Sequence, residues 1–179
     1  MAKKSKGLPF VVQPRLKPIT ERLGTDLSGI IEIERKGYLT VAEKSIVQHS
    51  MKDETGLADA FMIAREVGAK ANKTAEEVFD DIGADPQPEY ILENKELIAQ
   101  AMRGMMAHEE KLRLVAATAL ILTRVNPDWD PQDTVGLHPD LQQELYTFYT
   151  EEDRKCIDAL EDAIKEVDKE GQRNSSGKE

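Results

Sequence analysis

The sequence predicts a mainly α protein, a compact helical domain with a short extended N-terminal segment and a long C-terminal helix. Three observations lead there. Apolar residues recur every three or four positions over most of the chain from Asp26 on, the period of a helix face. Thr40 with Glu43 and Thr74 with Glu77 have the spacing of a capping box ahead of apolar runs. Charged residues make up 32% of the 179 and aromatics only 5%, which suits solvated helix faces around an aliphatic core.

Residues 1–25 form a basic N-terminal arm. Leu8–Val12 and Lys17–Arg22 suit short extended pieces, separated by Pro14 and Pro18, which resist helix. Met1–Arg22 holds six cations against Glu21, a net of +5 that leaves −15 on the rest of a chain totalling −10. An acidic body repels nucleic-acid phosphates and steers toward cationic partners.

The helical domain spans 26–170. Asp26 or Ser28 caps a short helix carrying Leu27, Ile30 and Ile31 and ended by Gly37, although Ile31 and Ile33 also suit a strand. Thr40 opens a helix through about Met51, and Thr55 opens another over Gly56–Ala71, with Leu57, Ala60, Phe61 and Ala64 on one face. Thr74 begins a brief helix with Val78 and Phe79, and Gly83–Pro88 is a break. Ile91, Leu97, Ile98, Ala101, Met102, Met105 and Met106 then recur at helical spacing, with Gly104 placed to interrupt them. Leu112–Leu122 is apolar almost all round between Arg113 and Arg124, as a buried central helix would be. Residues 126–138 are a turn-rich linker with Pro127 and Pro131. Pro139 suits the first turn of a last helix running to about Lys169. Its stripe is Leu141, Leu145, Phe148, Tyr149, Cys156, Ile157, Leu160, Ile164 and Val167, supported by Glu151–Lys155 and Glu161–Lys165 pairs. Residues 171–179 read as a disordered tail.

Sequence motifs for catalysis are missing. His49, His108 and His138 form no zinc spacing, and His108-Glu109-Glu110 begins a metalloprotease motif that Leu112 breaks. No phosphate-binding glycine loop or dinucleotide fingerprint occurs. Asp128, Asp130 and Asp133 approach a calcium loop, but Pro139 stands where its last glutamate belongs, so they read as turn and cap residues around Trp129. Cys156, the only cysteine, excludes an internal disulfide, fits a reducing cytoplasm and reads as a small core residue. No apolar run approaches the ~20 residues that span a bilayer. The expectation is a cytoplasmic protein, not an enzyme, with no catalytic residue, metal or cofactor and no membrane partner. Its partner is another protein, with nucleic acid disfavoured and a homo-oligomer open.

The candidate protein-binding residues are Met102, Met105 and Met106, and Trp129, Phe148 and Tyr149. Flexible, polarizable methionines on one stripe can hold varied apolar segments, and aromatics anchor interfaces. Core filling and linker packing explain both groups as well.

Asn126-Pro127-Asp128-Trp129, then Asp133-Thr134, then Leu141, Leu145 and Phe148 leading into a charged helix resemble the bacteriophage tail assembly chaperones. Leu8–Thr40 is similar to proteins encoded in tail-gene clusters, so the likeness spans about half the chain. It implies a small helical holdase in the host cytoplasm that covers the apolar stripes of a tape-measure-like protein and releases it as tail-tube subunits compete. It also implies a frameshifted longer product, for which Gly177-Lys178 is a fitting slippery dipeptide. A structural virion or adaptor protein of a tail shares this composition. A nucleic-acid-binding regulator ranks third, on Gly37-Tyr38-Leu39-Thr40 as a helix-turn-helix junction that lacks a basic recognition face.

Overall fold

The computed structural model describes residues 19–155. The expectations for Leu8–Val12, for Cys156 and the stripe beyond it, and for the tail fall outside those residues.

The described chain opens with a β-hairpin, β1 (Ile19–Thr25) antiparallel to β2 (Gly29–Arg35), paired from Ile19 opposite Arg35 to Thr25 opposite Gly29. This corrects the short helix expected after Asp26. Ile31 and Ile33 decide the matter. Two residues apart, they would point some 200° from each other on a helix, but they share one face of a strand. On that face Ile33 is fully buried opposite Glu21 and beside Leu23, while Glu32 faces solvent. The turn is fixed by Thr25 and Ser28, whose side chains bond each other's backbone N–H at 2.8 and 3.2 Å. Gly24 and Gly29 take φ of +87° and +85°, and a Cβ on Gly24 would lie 2.0 Å from the Gly29 carbonyl oxygen.

The helices follow from local signals. α1 (Val41–Ser50) and α3 (Ala75–Ile82) each begin with a complete capping box: Thr40 and Thr74 accept from the N–H of Glu43 and Glu77, which return the bond. α2 (Gly56–Ala71) starts after Thr55, but the Thr55 hydroxyl bonds Asp59 and the Gly56 N–H is taken by Glu54. Asn72, in the left-handed region, ends it. The short α4 (Glu89–Glu93) is followed at once by α5 (Lys95–Arg124), thirty residues and about 45 Å long.

The expected interruption at Gly104 does not occur. Gly104 instead sits where α5 crosses α2 most closely: a Cβ on Gly104 or on Gly56 would come within 2.7 Å of the other glycine's carbonyl oxygen. The missing side chain serves helix packing. The break lies one turn before Ile98, at Asn94, where α4 gives way to α5.

α5 is the spine of the molecule. Its N-terminal half contributes Ile98 to one apolar cluster with Ala64, Val67, Val78 and Ile91 of α2, α3 and α4. Within its C-terminal half Ala116–Ile121 is buried without interruption, the inner part of the apolar stretch Leu112–Leu122, whose Leu112–Val115 and Leu122 are half-buried. That half joins a second cluster with the hairpin, α1 and α6 (residues 139–155, helical to the end of the described chain). The linker before α6 folds partly into a 3-10 helix, Pro131–Gly136, capped by Asp130 on the Gln132 N–H.

Candidate functional site

Two features stand out above the fold: a buried charge cluster inside the second apolar cluster, and a bare stripe on the opposite half of α5.

The charge cluster centres on Arg124, the last residue of α5. Its side chain is 0% exposed, as are those of Glu43 on α1 and Glu152 on α6. Arg124 donates from Nε to Glu43 Oε1 at 2.5 Å, and from Nη2 to Glu43 Oε2 at 3.0 Å and to the Tyr38 carbonyl at 3.1 Å. From Nη1 it donates to the Glu34 carbonyl at 2.8 Å and to Glu152 Oε2 at 3.1 Å. Glu43 also accepts from the Thr123 hydroxyl and the Thr40 N–H. Glu152 lies in a cradle of three successive backbone N–H groups, those of Lys36, Gly37 and Tyr38, at 3.0–3.2 Å. Gly37, at φ +76°, turns the chain so that all three converge. Arg124 and Arg35 both stack on the Phe148 ring, 5.6 and 4.7 Å from its centroid.

Burial opposes ionisation of Glu43, but the Arg124 guanidinium, the Thr40 N–H and the Thr123 hydroxyl outweigh it and hold the carboxyl at about 2. Burial likewise opposes the charge on Arg124, and the two glutamates overcome it, so its pKa is raised. All five Arg124 N–H protons and both oxygens of each glutamate have partners, and the three side chains are 0% exposed. The role of the cluster is to pin α1, α5, α6 and the loop after β2 to one another.

Phe148 and Tyr149 belong to this interior. At 2% and 9% exposure they present no anchor to a partner, which corrects their placement among the protein-binding candidates. Burial pushes the Tyr149 phenol up to about 12. Trp129 is half-buried and packs on the same cluster, its indole N–H donating to Thr134 at 3.0 Å. Thr134 in turn meets Thr118 of α5 and, through its carbonyl, Gln142 of α6. Trp129 thus fastens the linker to the domain.

The methionines lie otherwise. Met102 and Met106, one turn apart, are 36% and 65% exposed, and Met105 beside them is half-buried. Glu109, Glu110 and Arg113 continue their face toward the middle of α5, lining a shallow recess of about 320 Å³ with Met106. On the far side of the α2–α5 crossing, an open groove of about 580 Å³ runs between Met62, Ile63, Glu66 and Gln100. At the crossing itself His108 of α5 bonds Glu54, which caps α2, and keeps that carboxyl below the usual carboxylate range.

Among the described residues no three His, Cys, Asp or Glu side chains come together as a metal site, and no helix is long and apolar enough to cross a membrane. No protein-family model, curated protein or solved structure matches the chain.

Proposed function

We propose that this chain is a protein-binding assembly factor of the phage tail chaperone type, which holds an apolar, helical tape-measure-like client in the host cytoplasm until tail-tube subunits displace it. The observation that carries the reading is the bare pair Met102 and Met106. Large apolar side chains one turn apart on a solvated helix form a stripe that a client helix can cover. Methionine suits the task, because a flexible thioether adapts to varied partners and makes contacts weak enough to reverse. The buried charge cluster complements this surface, since it holds the rest of the scaffold fixed while α5 presents its face. The resemblance around Asn126–Trp129 and Leu141–Phe148 supplies the client class.

The test is co-expression with the long helical tail protein of a phage gene cluster. Wild-type chain is expected to keep that protein soluble and to co-purify with it. The double variant Met102→Lys with Met106→Lys is expected to lose co-purification at unchanged helicity by circular dichroism. Undiminished co-purification would sink the proposal, and finding the chain in finished particles would favour a structural tail protein instead.

A further inference from the structure

We infer that the exposed face of the N-terminal half of α5 is a self-association surface, on which a second copy of this chain lies antiparallel about a two-fold axis through Met106. Ala99, Met102, Met106, Glu109 and Arg113 follow one another at three- and four-residue steps, and the next steps on that face are Ala117 and Leu120. Ala117 and Leu120 are fully buried, so the covered half of the face runs directly into the bare one.

The charges on the bare half identify the occupant. Arg103, Glu109 and Glu110 take part in none of the ion pairs among the described residues. The Arg113 Nε is buried with no acceptor. At about 1.5 Å of rise per residue, Arg103 lies about 4.5 Å before Met106, and Glu109 and Glu110 lie about 4.5 and 6 Å beyond it. A two-fold axis at Met106 therefore sets each Arg103 beside the other copy's Glu110 on the same flank of the stripe, twice over, with Glu109 at the same height across the stripe. It also sets Arg113 opposite Ala99, whose small side chain leaves room for the guanidinium to reach Glu96 one turn further. Met106 packs on its own symmetry mate. The parallel arrangement would set Glu109 against Glu109 along the stripe and bring no acid to the flank of Arg103, so charge selects the antiparallel one. A pattern that is its own complement under a two-fold is the signature of an isologous contact.

Four turns of one helix bury an area at the small end of specific interfaces, so the dimer is reversible. It covers Met102 and Met106. If those are the client surface, as the proposed function has it, the dimer is the resting form and client competes with the second copy. That consequence rests on the proposed function, but the dimer does not.

Sedimentation of the full chain from about 1 µM to about 1 mM at low salt reads the association directly. The expected mass climbs from 20.1 kDa toward twice that value. Arg103→Glu, which sets like charges face to face at two symmetric positions, is expected to weaken association at least about tenfold. Adding Glu109→Arg and Glu110→Arg restores it. A mass fixed at 20.1 kDa throughout, or a dimer indifferent to both variants, overturns the inference. The same variants separate the two proposals. Arg103→Glu keeps both methionines and is expected to capture client at lower concentration than wild type, whereas unchanged capture overturns the masking. A charge-sensitive dimer without any client capture refutes the proposed function and leaves the self-association standing.

Discussion

Replacing Arg124 with alanine gives the most demanding test of the structure. The substitution removes five hydrogen bonds and leaves Glu43 and Glu152, both 0% exposed, without their cation. Stripping one member from a buried ion pair costs about 3–5 kcal/mol, because the remaining charge stays desolvated. Glu152 keeps its three backbone N–H donors, so the larger share falls on Glu43. A loss of about 4 kcal/mol would be a large part of the ~5–15 kcal/mol that holds most domains folded. The pH dependence sharpens the test. In the wild type the Glu43 carboxyl is held at about 2, against 4.5 as its ordinary value. A depressed folded pKa contributes stability that is fully present above 4.5 and is lost as pH falls toward 2; the span corresponds to about 3 kcal/mol. Without Arg124, burial, the largest influence on Glu43, is opposed only by the Thr40 N–H and the Thr123 hydroxyl and raises its pKa, so the folded variant binds protons more readily than the unfolded one. The sign of its contribution then reverses. Relative to wild type, Arg124→Ala should regain stability as pH drops from 7 to 5. Urea unfolding followed by circular dichroism at both pH values measures this. A loss under about 1 kcal/mol at pH 7, or a difference that is flat between the two pH values, would refute the assignment of Arg124 as the internal counter-ion.

Three further outcomes follow from the packing. Gly104→Ala would stabilise an ordinary exposed helix by about 1 kcal/mol, but here its Cβ meets the Gly56 carbonyl oxygen at 2.7 Å, so thermal unfolding should show a loss of about 1–3 kcal/mol. Thr74→Ala removes the side-chain half of the α3 capping box and should cost about 1 kcal/mol in the same assay. Leu120→Ala opens a cavity at a side chain with 0% exposure and should cost about 3–5 kcal/mol by chemical denaturation, with helicity retained in the absence of denaturant.

What the sequence made legible was local. Both capping boxes, the start of α2 at Thr55 and the start of α6 at Pro139 depend on residues within one turn of each other, and they appear where the spacing put them. The uninterrupted burial of Ala116–Ile121 was equally readable, because a helix without a polar face has nowhere else to go. The misreadings share a different cause. Gly104 in a helix is unfavourable on its own, and only its partner 48 positions earlier, Gly56, explains it. Glu152 sits in the apolar stripe of α6 at a place where a charge has no local reason to be, and its partners are Arg124 and the backbone of residues 36–38. An acid inside an apolar stripe was the available signal. Paired with the arginine that closes an apolar helix, it pointed to a buried ion pair, though not to which residues. Phe148 was misplaced for the same reason: its ring lies under two arginines, and stacking of that kind is invisible to periodicity.

The two halves of α5 frame the functional argument. In the C-terminal half Ala116–Ile121 is enclosed on every side, and a charge cluster at its end joins four segments far apart in sequence. Such a cluster contributes specificity of arrangement more than net stability, since apolar side chains of similar volume could fill the same space at no greater cost. The N-terminal half rests on α2 through a glycine pair that brings two backbones into contact, and on its other side it shows methionines to solvent beside charges with no ion-pair partner among the described residues. A helix whose one face is sealed along half its length and bare along the rest has an unfinished core. The recess beside Met106 holds two acids and a cation along this face. What completes such a face is another helix carrying the complementary apolar and charged steps.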